Sequence, residues 1–235
     1  MNPILEHLLE VYATRSRAEL QQILSELSRV TLEATLIDLL TIYFNDVNSS
    51  ALREWLTLRL AGYQVTEGKL GYNGYRLVGP ESQRHRIVCE VKPQNVNCNS
   101  KRKLNGGGNF SDYTPERFIK DQQNQPQILV SGFAKGRLLY ILEFPWRCIE
   151  EHLEHKLSER FPGWNSMQSG KQTWQRESGD YLRSASFSFR HYQNCEDIKI
   201  HFCDVENSLA QECLTKPFYR FLRTICRSLN EETRE

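Results

Sequence analysis

Apolar residues recur every three or four positions over roughly the first sixty residues and every two positions in several later stretches, and this change of period divides the chain. Leu20, Ile23, Leu24 and Leu27 follow Ser16-Arg17-Ala18-Glu19, a Ser-x-x-Glu sequence of the kind that closes a capping box at a helix start. Leu32, Leu36, Leu39, Leu40 and Tyr43 continue the helical spacing. Ser50 precedes a further helix with Leu52, Leu56 and Leu60 on one face and Gly62 at its end. From residue 63 the pattern predicts strands over 63–66, 74–78 and 84–92, the last with Ile87, Cys89 and Val91 alternating with polar neighbours. A polar, glycine-bearing loop is expected over 93–113. Thr114-Pro115 then suits a helix start, because proline at the first helical position gives up no hydrogen bond. Strands are expected over 127–133 and 137–144 around the turn 134–136, a helix over 147–159, loop over 160–179, strands over 181–190 and 198–202, and one last helix over 208–229. The order implies an α/β fold, a central mixed β-sheet flanked by helices. It divides into a helical N-terminal region (1–48), a core (49–145) and a C-terminal α+β part (146–235) packed on that core.

Composition narrows the class. The 235 residues, 39% hydrophobic and 25% charged, are those of a globular protein. No apolar run is long enough to span a bilayer, and acids at Glu6 and Glu10 replace the basic start of a secretory signal, so no membrane association is expected. Seven cysteines are scattered singly with no Cys-x-x-Cys pair, which predicts reduced thiols in a cytoplasm. Cys148, His152 and His155 lack a fourth ligand at useful spacing and read as part of one helix. The net charge of +1 carries no message, but its distribution does. Residues 1–50 hold seven acids against three bases, residues 84–103 six bases against Glu90 alone, and residues 213–230 four bases and no acid. Such zoning suits a protein with one side turned to a polyanion.

The candidate chemistry lies at the end of the predicted strand 84–92. Positions i and i+2 of a strand share a side, so Glu90 and Lys92 project together while Cys89 and Val91 face the core. A carboxylate beside an ammonium suits phosphodiester hydrolysis. The carboxylate can hold a divalent metal, for which oxygen ligands favour Mg²⁺, and the lysine can orient a water or offset charge on the phosphate. Seventeen residues upstream of Glu90 stands Asn73, in Leu70-Gly-Tyr-Asn-Gly-Tyr75, and before it a helix carrying Glu54.

Over about residues 50–145 this arrangement resembles the PD-(D/E)XK nuclease superfamily, and type II restriction endonucleases in particular. That family places a Glu on a helix, an Asp at the start of a strand, and (D/E)xK on the next strand. The resemblance implies Glu54, Asn73, Glu90 and Lys92 as the catalytic set, with Asn73, Glu90 and Val91 around Mg²⁺. The loop 103–114 and the segment 128–133 also look like the stretches after the active-site strand in some restriction enzymes. One residue departs from the pattern: Asn73 stands where the family has Asp, and an amide oxygen is a poorer Mg²⁺ ligand than a carboxylate. The expectation is therefore a sequence-specific double-stranded DNA endonuclease, a homodimer on two-fold DNA, held inactive by Asn73. The alternatives are a nuclease that reads methylcytosine, a non-cleaving DNA-binding protein on the same scaffold, and a protein-interaction domain.

The expected DNA contacts lie beyond the active-site strand. Lys101, Arg102 and Lys103 suit phosphates, Asn105, Asn109 and Asp112 suit base edges, and the glycines between them let a backbone approach closely. Tyr113, Arg117, Arg183 and Arg190 extend the set. Lys216, Arg220, Arg223 and Arg227 form a basic stripe on the final helix.

Overall fold

The computed structural model describes residues 1–45, 50–66, 71–96, 102–161 and 182–232. Four helices lead the chain: α1 (Pro3–Thr14), α2 (Arg17–Glu26), α3 (Arg29–Asn45) and α4 (Ala51–Leu60). The capping box expected before α2 is present, with Ser16 Oγ accepting the Glu19 amide and Glu19 returning to the Ser16 amide. Ser50 begins α4 without a side-chain cap. Its hydroxyl donates instead to Glu54 Oε1 at 2.7 Å.

The predicted meander comes next as β1 (Gln64–Val65), β2 (Gly74–Val78) and β3 (His85–Val96), all antiparallel. β3 runs four residues past Lys92, straight through Pro93, where the sequence pattern predicts a loop. The register explains why proline is tolerated. β2 begins only at Gly74, opposite Cys89, and does not extend past it along β3. A strand residue turns its N–H and C=O to one edge and its neighbour turns them to the other. Val91 offers its N–H to the β2 side, to Asn73, so position 93 faces that side as well, beyond the end of β2. The N–H that proline lacks has no ladder partner to lose there.

The expected loop 93–113 also contains β4 (Gly108–Tyr113), which pairs with β7 (Leu182–Phe187) in a separate two-stranded ladder. Helix α5 (Pro115–Asn124) begins as predicted, with Thr114 Oγ accepting the Arg117 amide. β5 (Gln127–Ala134) and β6 (Arg137–Pro145) form the predicted hairpin, followed by a short 3-10 turn and α6 (Glu150–Arg160). β8 (Lys199–Cys203) closes a six-stranded sheet of order β1-β2-β3-β5-β6-β8, antiparallel except for the parallel β3–β5 pair. The architecture is thus α/β with a mixed central sheet flanked by helices. The last helix is two: α7 (Ser208–Cys213) and α8 (Lys216–Glu232). Between them Leu214 bridges to Leu104, and Pro217 restarts the helix in its first turn.

Each face of the sheet is covered. On one, Leu56 and Leu58 of α4 and Ala13 of α1 pack on Cys89, Val91, Leu129 and Ile141. On the other, Phe118, Leu153, Phe218 and Leu222 bring α5, α6 and α8 against Ile128, Val130, Leu142 and Phe144. The expectation of unpaired thiols fails. Cys148 is bonded to Cys195 and Cys203 to Cys226, Cys213 is bonded as well, and Cys89 keeps its thiol. The pairs form between residues 47 and 23 positions apart, so no local spacing announces them. With them goes the cysteine argument for a reducing compartment. No helix among the described residues is long and apolar enough to cross a membrane.

Candidate active site

The register of the β2–β3 hairpin sets the site. Gly74 pairs with Cys89, which puts Asn73, in the bend before β2, across from Glu90. Glycine is required at 74, since a Cβ there would lie 2.4 Å from Leu58 Cδ2 and 2.8 Å from the Gln64 carbonyl oxygen. Past Cys89 the two strands part. The Asn73 side chain fills the gap: its Oδ1 accepts the Val91 N–H at 2.8 Å, and its Nδ2 donates to Glu54 Oε2 at 3.2 Å. Glu54 comes from α4, pinned to the sheet one turn further on by the buried contact between the Thr57 and Ser131 hydroxyls at 2.7 Å. The Val91 carbonyl points to the same gap as its N–H.

Glu90 is buried, and both of its oxygens are engaged. Lys92 Nζ donates to Oε1 at 2.7 Å and Arg117 Nη2 to Oε2 at 3.0 Å. Burial works to raise the Glu90 carboxyl, but Lys92 and Arg117 outweigh it and hold the group below the ordinary carboxylate range. Arg117 reaches Glu90 from α5 and with its Nε bonds Asp121 Oδ1 at 2.8 Å, one helical turn on. Asp121 is fully buried and also accepts the hydroxyls of Tyr72 at 2.9 Å and Tyr113 at 3.0 Å. Burial still pushes its carboxyl up against the pull of Arg117.

Of the four residues expected together, Glu54 and Asn73 are bonded to each other and through Asn73 to the Val91 N–H, and Glu90 and Lys92 are bonded to each other, so the two pairs meet along the β3 backbone at Val91. Four more belong with Glu90 and Lys92: Arg117, Asp121, Tyr72 and Tyr113. The spacing Arg117-x-x-x-Asp121 is visible in the sequence as a helical ion pair, but nothing local ties it to Glu90. In the Glu90 set two acids (Glu90, Asp121) meet two bases (Lys92, Arg117), while Glu54 is bonded to Asn73 and Ser50. An aspartate at 73 would add a further negative charge against Glu54, and the set would then suit a divalent cation. With asparagine the fit is poor, because the amide NH₂ occupies the space beside Glu54 and both Glu90 oxygens already face cations. No cluster of three or more His, Cys, Asp or Glu side chains able to hold a metal ion occurs among the described residues.

The residues expected to touch DNA are divided by the structure. Tyr113 is in the core, its hydroxyl on Asp121, and cannot reach a groove. Arg117 serves the acid cluster. The Asn105 side chain folds back on the Gly107 amide at 3.1 Å. The three glycines after it are packing devices and not an approach to DNA: a Cβ would meet Phe218 at Gly106, the Phe187 carbonyl at Gly107, and the Lys92 Cβ at 2.6 Å at Gly108. Gly108 thereby makes room for the Lys92 stem, whose ammonium lies 4.4 Å from the Phe110 ring centre. Lys103 bonds the Glu212 carbonyl. Arg102, Asn109 and Arg190 remain exposed, as do Lys216, Arg220, Arg223 and Arg227 along α8. Lys101 and the side chains of Asp112 and Arg183 lie outside the described residues. No protein-family model matches the chain, and no curated protein matches it.

Proposed function

We propose that this protein is a double-stranded DNA endonuclease of the PD-(D/E)XK type, related in architecture to type II restriction enzymes, in which Asn73 holds the site in a non-cleaving state. The observation that carries this reading is the meeting of two bonded pairs where β2 and β3 separate: Glu54 with Asn73, which holds the Val91 amide, and Glu90 with Lys92, the residues on either side of Val91.

The role of each residue follows from its contacts. Glu90, kept ionised by Lys92 and Arg117, is a hard oxygen donor at neutral pH. Lys92 carries the proton donor nearest that carboxylate and is placed to steady a water or a phosphate oxygen. Arg117 fixes the Glu90 rotamer against buried Asp121. With aspartate at 73, that residue, Glu90 and the Val91 carbonyl would hold Mg²⁺, with Glu54 behind them. The ion would supply Lewis acidity toward the scissile phosphate. Exposed cations on Arg102, Arg190 and α8 suit backbone contact, and cleavage of both strands calls for a homodimer.

The test is plasmid DNA incubated with the Asn73→Asp protein and Mg²⁺. Discrete fragments that vanish with EDTA, and that the Asn73 protein does not produce, are expected. Intact plasmid across a broad panel of methylated and unmethylated DNAs would overturn the reading. Gel retention of duplex DNA by the Asn73 protein, weakening steeply with salt, is the accompanying expectation.

A further inference from the structure

Two cavities meet where α1 crosses the carboxyl ends of β3 and β5, on the sheet face that carries α4. The larger, of about 480 Å³, is floored by Leu56 and Phe133 and has Asn95 and Arg53 in its wall. The smaller, of about 230 Å³, lies beside Ser16, Arg17, Leu20 and Arg137. Tyr12 and Lys135 line both, so the two read as one groove. Its size is that of a small-ligand site, and the carboxyl ends of parallel strands are where open α/β sheets receive ligands.

The charge of the groove is one-sided. Among the described residues that line it, four are cations, Arg17, Arg53, Lys135 and Arg137, and none is an acid. The chain as a whole has 30 bases and 29 acids, so this is not its average surface. Arg137 donates to the backbone carbonyls of Tyr12 and Arg15 and to no carboxylate. Lys135 and Arg17 make no ion pair with a described residue. Glu19, which feels Arg137, has its carboxylate committed to the Ser16 cap.

Lys135 is a second, independent sign. It sits at φ +51° and Gly136 at φ +77°, a two-residue turn with both central residues left-handed. Asparagine or glycine is the easy choice at the first of these positions, and a lysine there is strained. The turn needs no lysine, whereas an anion at the groove mouth would. The aromatic component is at hand as well: Tyr12 is 43% exposed, and Phe133 closes the cavity floor.

We propose that this groove is a nucleotide-binding site. The base enters the larger cavity against Tyr12 and Phe133, with the Asn95 amide and Arg53 beside its edge, and the phosphate rests among Lys135, Arg17 and Arg137. Stacking on an aromatic ring beside a cationic track is how single strands are held without sequence preference. The nucleotide is either free or part of an unpaired strand, and both present the same chemistry. α4 and β3 also carry Glu54 and Lys92, but the groove requires neither metal nor those residues, so it stands or fails separately from the nuclease reading.

Equilibrium dialysis in EDTA tests this with dCMP, a short single-stranded oligodeoxynucleotide, and the corresponding duplex. Binding of dCMP with a dissociation constant below about 1 mM is expected. Tighter binding of the single strand would mark the strand as the source, and equal or weaker binding the free nucleotide. Tyr12→Ala and Lys135→Asn are each expected to weaken binding roughly tenfold. Lys135→Asn suits the turn better than lysine does, so a loss there cannot be ascribed to misfolding. The Glu90→Ala protein should bind dCMP as the parent does. Binding of the duplex alone, unchanged affinity in both groove variants, or loss of dCMP binding in Glu90→Ala would each overturn the proposal.

Discussion

Glu90 on β3 and Glu143 on β6 are both buried carboxylates bonded to a guanidinium, and they differ in what else faces them. Glu143 is fully buried. It takes both terminal nitrogens of Arg76 at 2.8 and 3.3 Å, His201 at 2.7 Å, and Lys199 at 3.9 Å. One acid meets up to three bases there, on three strands of the sheet, and the group is satisfied within the protein. Around Glu90 the charges pair off, with Asp121 joining it against Lys92 and Arg117, and the ladder to β2 stops one residue short of it, where Asn73 and Glu54 stand. The first arrangement ties β2, β6 and β8 together. The second holds a buried carboxylate beside the place where β2 and β3 part. Buried charge alone therefore does not mark a site.

The strongest way to break this comparison is to exchange the two glutamates' fates in the Asn73→Asp background. Glu90→Gln is expected to lower the rate of plasmid cleavage about a thousandfold or more, since several kcal/mol of metal-assisted stabilisation go with it. Glu143→Gln should leave the rate per folded molecule unchanged. Equal losses in the two variants would mean that Glu143 is no mere fastener.

Stability should respond in the opposite order. Glu143→Ala leaves Arg76 without its carboxylate and is expected to cost about 3 kcal/mol by urea denaturation. A smaller loss than in Glu90→Ala would reverse the assignment of roles. The same contrast sharpens with pH. Burial works to raise the Glu143 carboxyl, but the His201 hydrogen bond and Arg76 outweigh it and hold the group below its unfolded value. Its contribution is thus complete above the unfolded-state carboxylate range of about 4.3 and is lost as pH falls toward the folded value. Glu143→Gln should accordingly flatten the acid limb of the stability curve.

The metal argument gives an intermediate effect. Asn73→Asp sets a carboxylate against Glu54 and should destabilise the metal-free protein by about 1–2 kcal/mol. Saturating Mg²⁺ should restore that loss in thermal melts, and leave the melting point of the Asn73 protein unmoved. The smallest expected effect is that of Tyr113→Phe, which removes the hydrogen bond to Asp121 and the longer one from Trp146 Nε1, for about 1 kcal/mol. An abolition of DNA retention by this variant would restore Tyr113 as a DNA contact.

Much of the fold is legible in the chain. The capping box at Ser16, the helix start at Thr114-Pro115, the β5–β6 hairpin and the shared side of Glu90 and Lys92 all depend on residues four or fewer positions apart, or on an unbroken period. The expectation of an open, DNA-contacting loop over 93–113 fails because glycine has two uses. Gly106, Gly107 and Gly108 look like freedom of approach in sequence, and in the fold they are the absence of side chains where Phe218, Phe187 and Lys92 press close. Arg117 reads as a phosphate contact for a similar reason. An exposed arginine and one aimed at a buried carboxylate are spelled the same.

The sequence alone determined the periods, the caps and the two chemical groups that a strand must present together, because those arise from local hydrogen bonding and side-chain alternation. The tertiary structure decided that α4 brings Glu54 to Asn73, that α5 turns Arg117 onto Glu90, and which cysteines meet. These contacts join residues from 19 to 47 positions apart, and what sets them is the order and register of strands in the sheet, which no local pattern encodes.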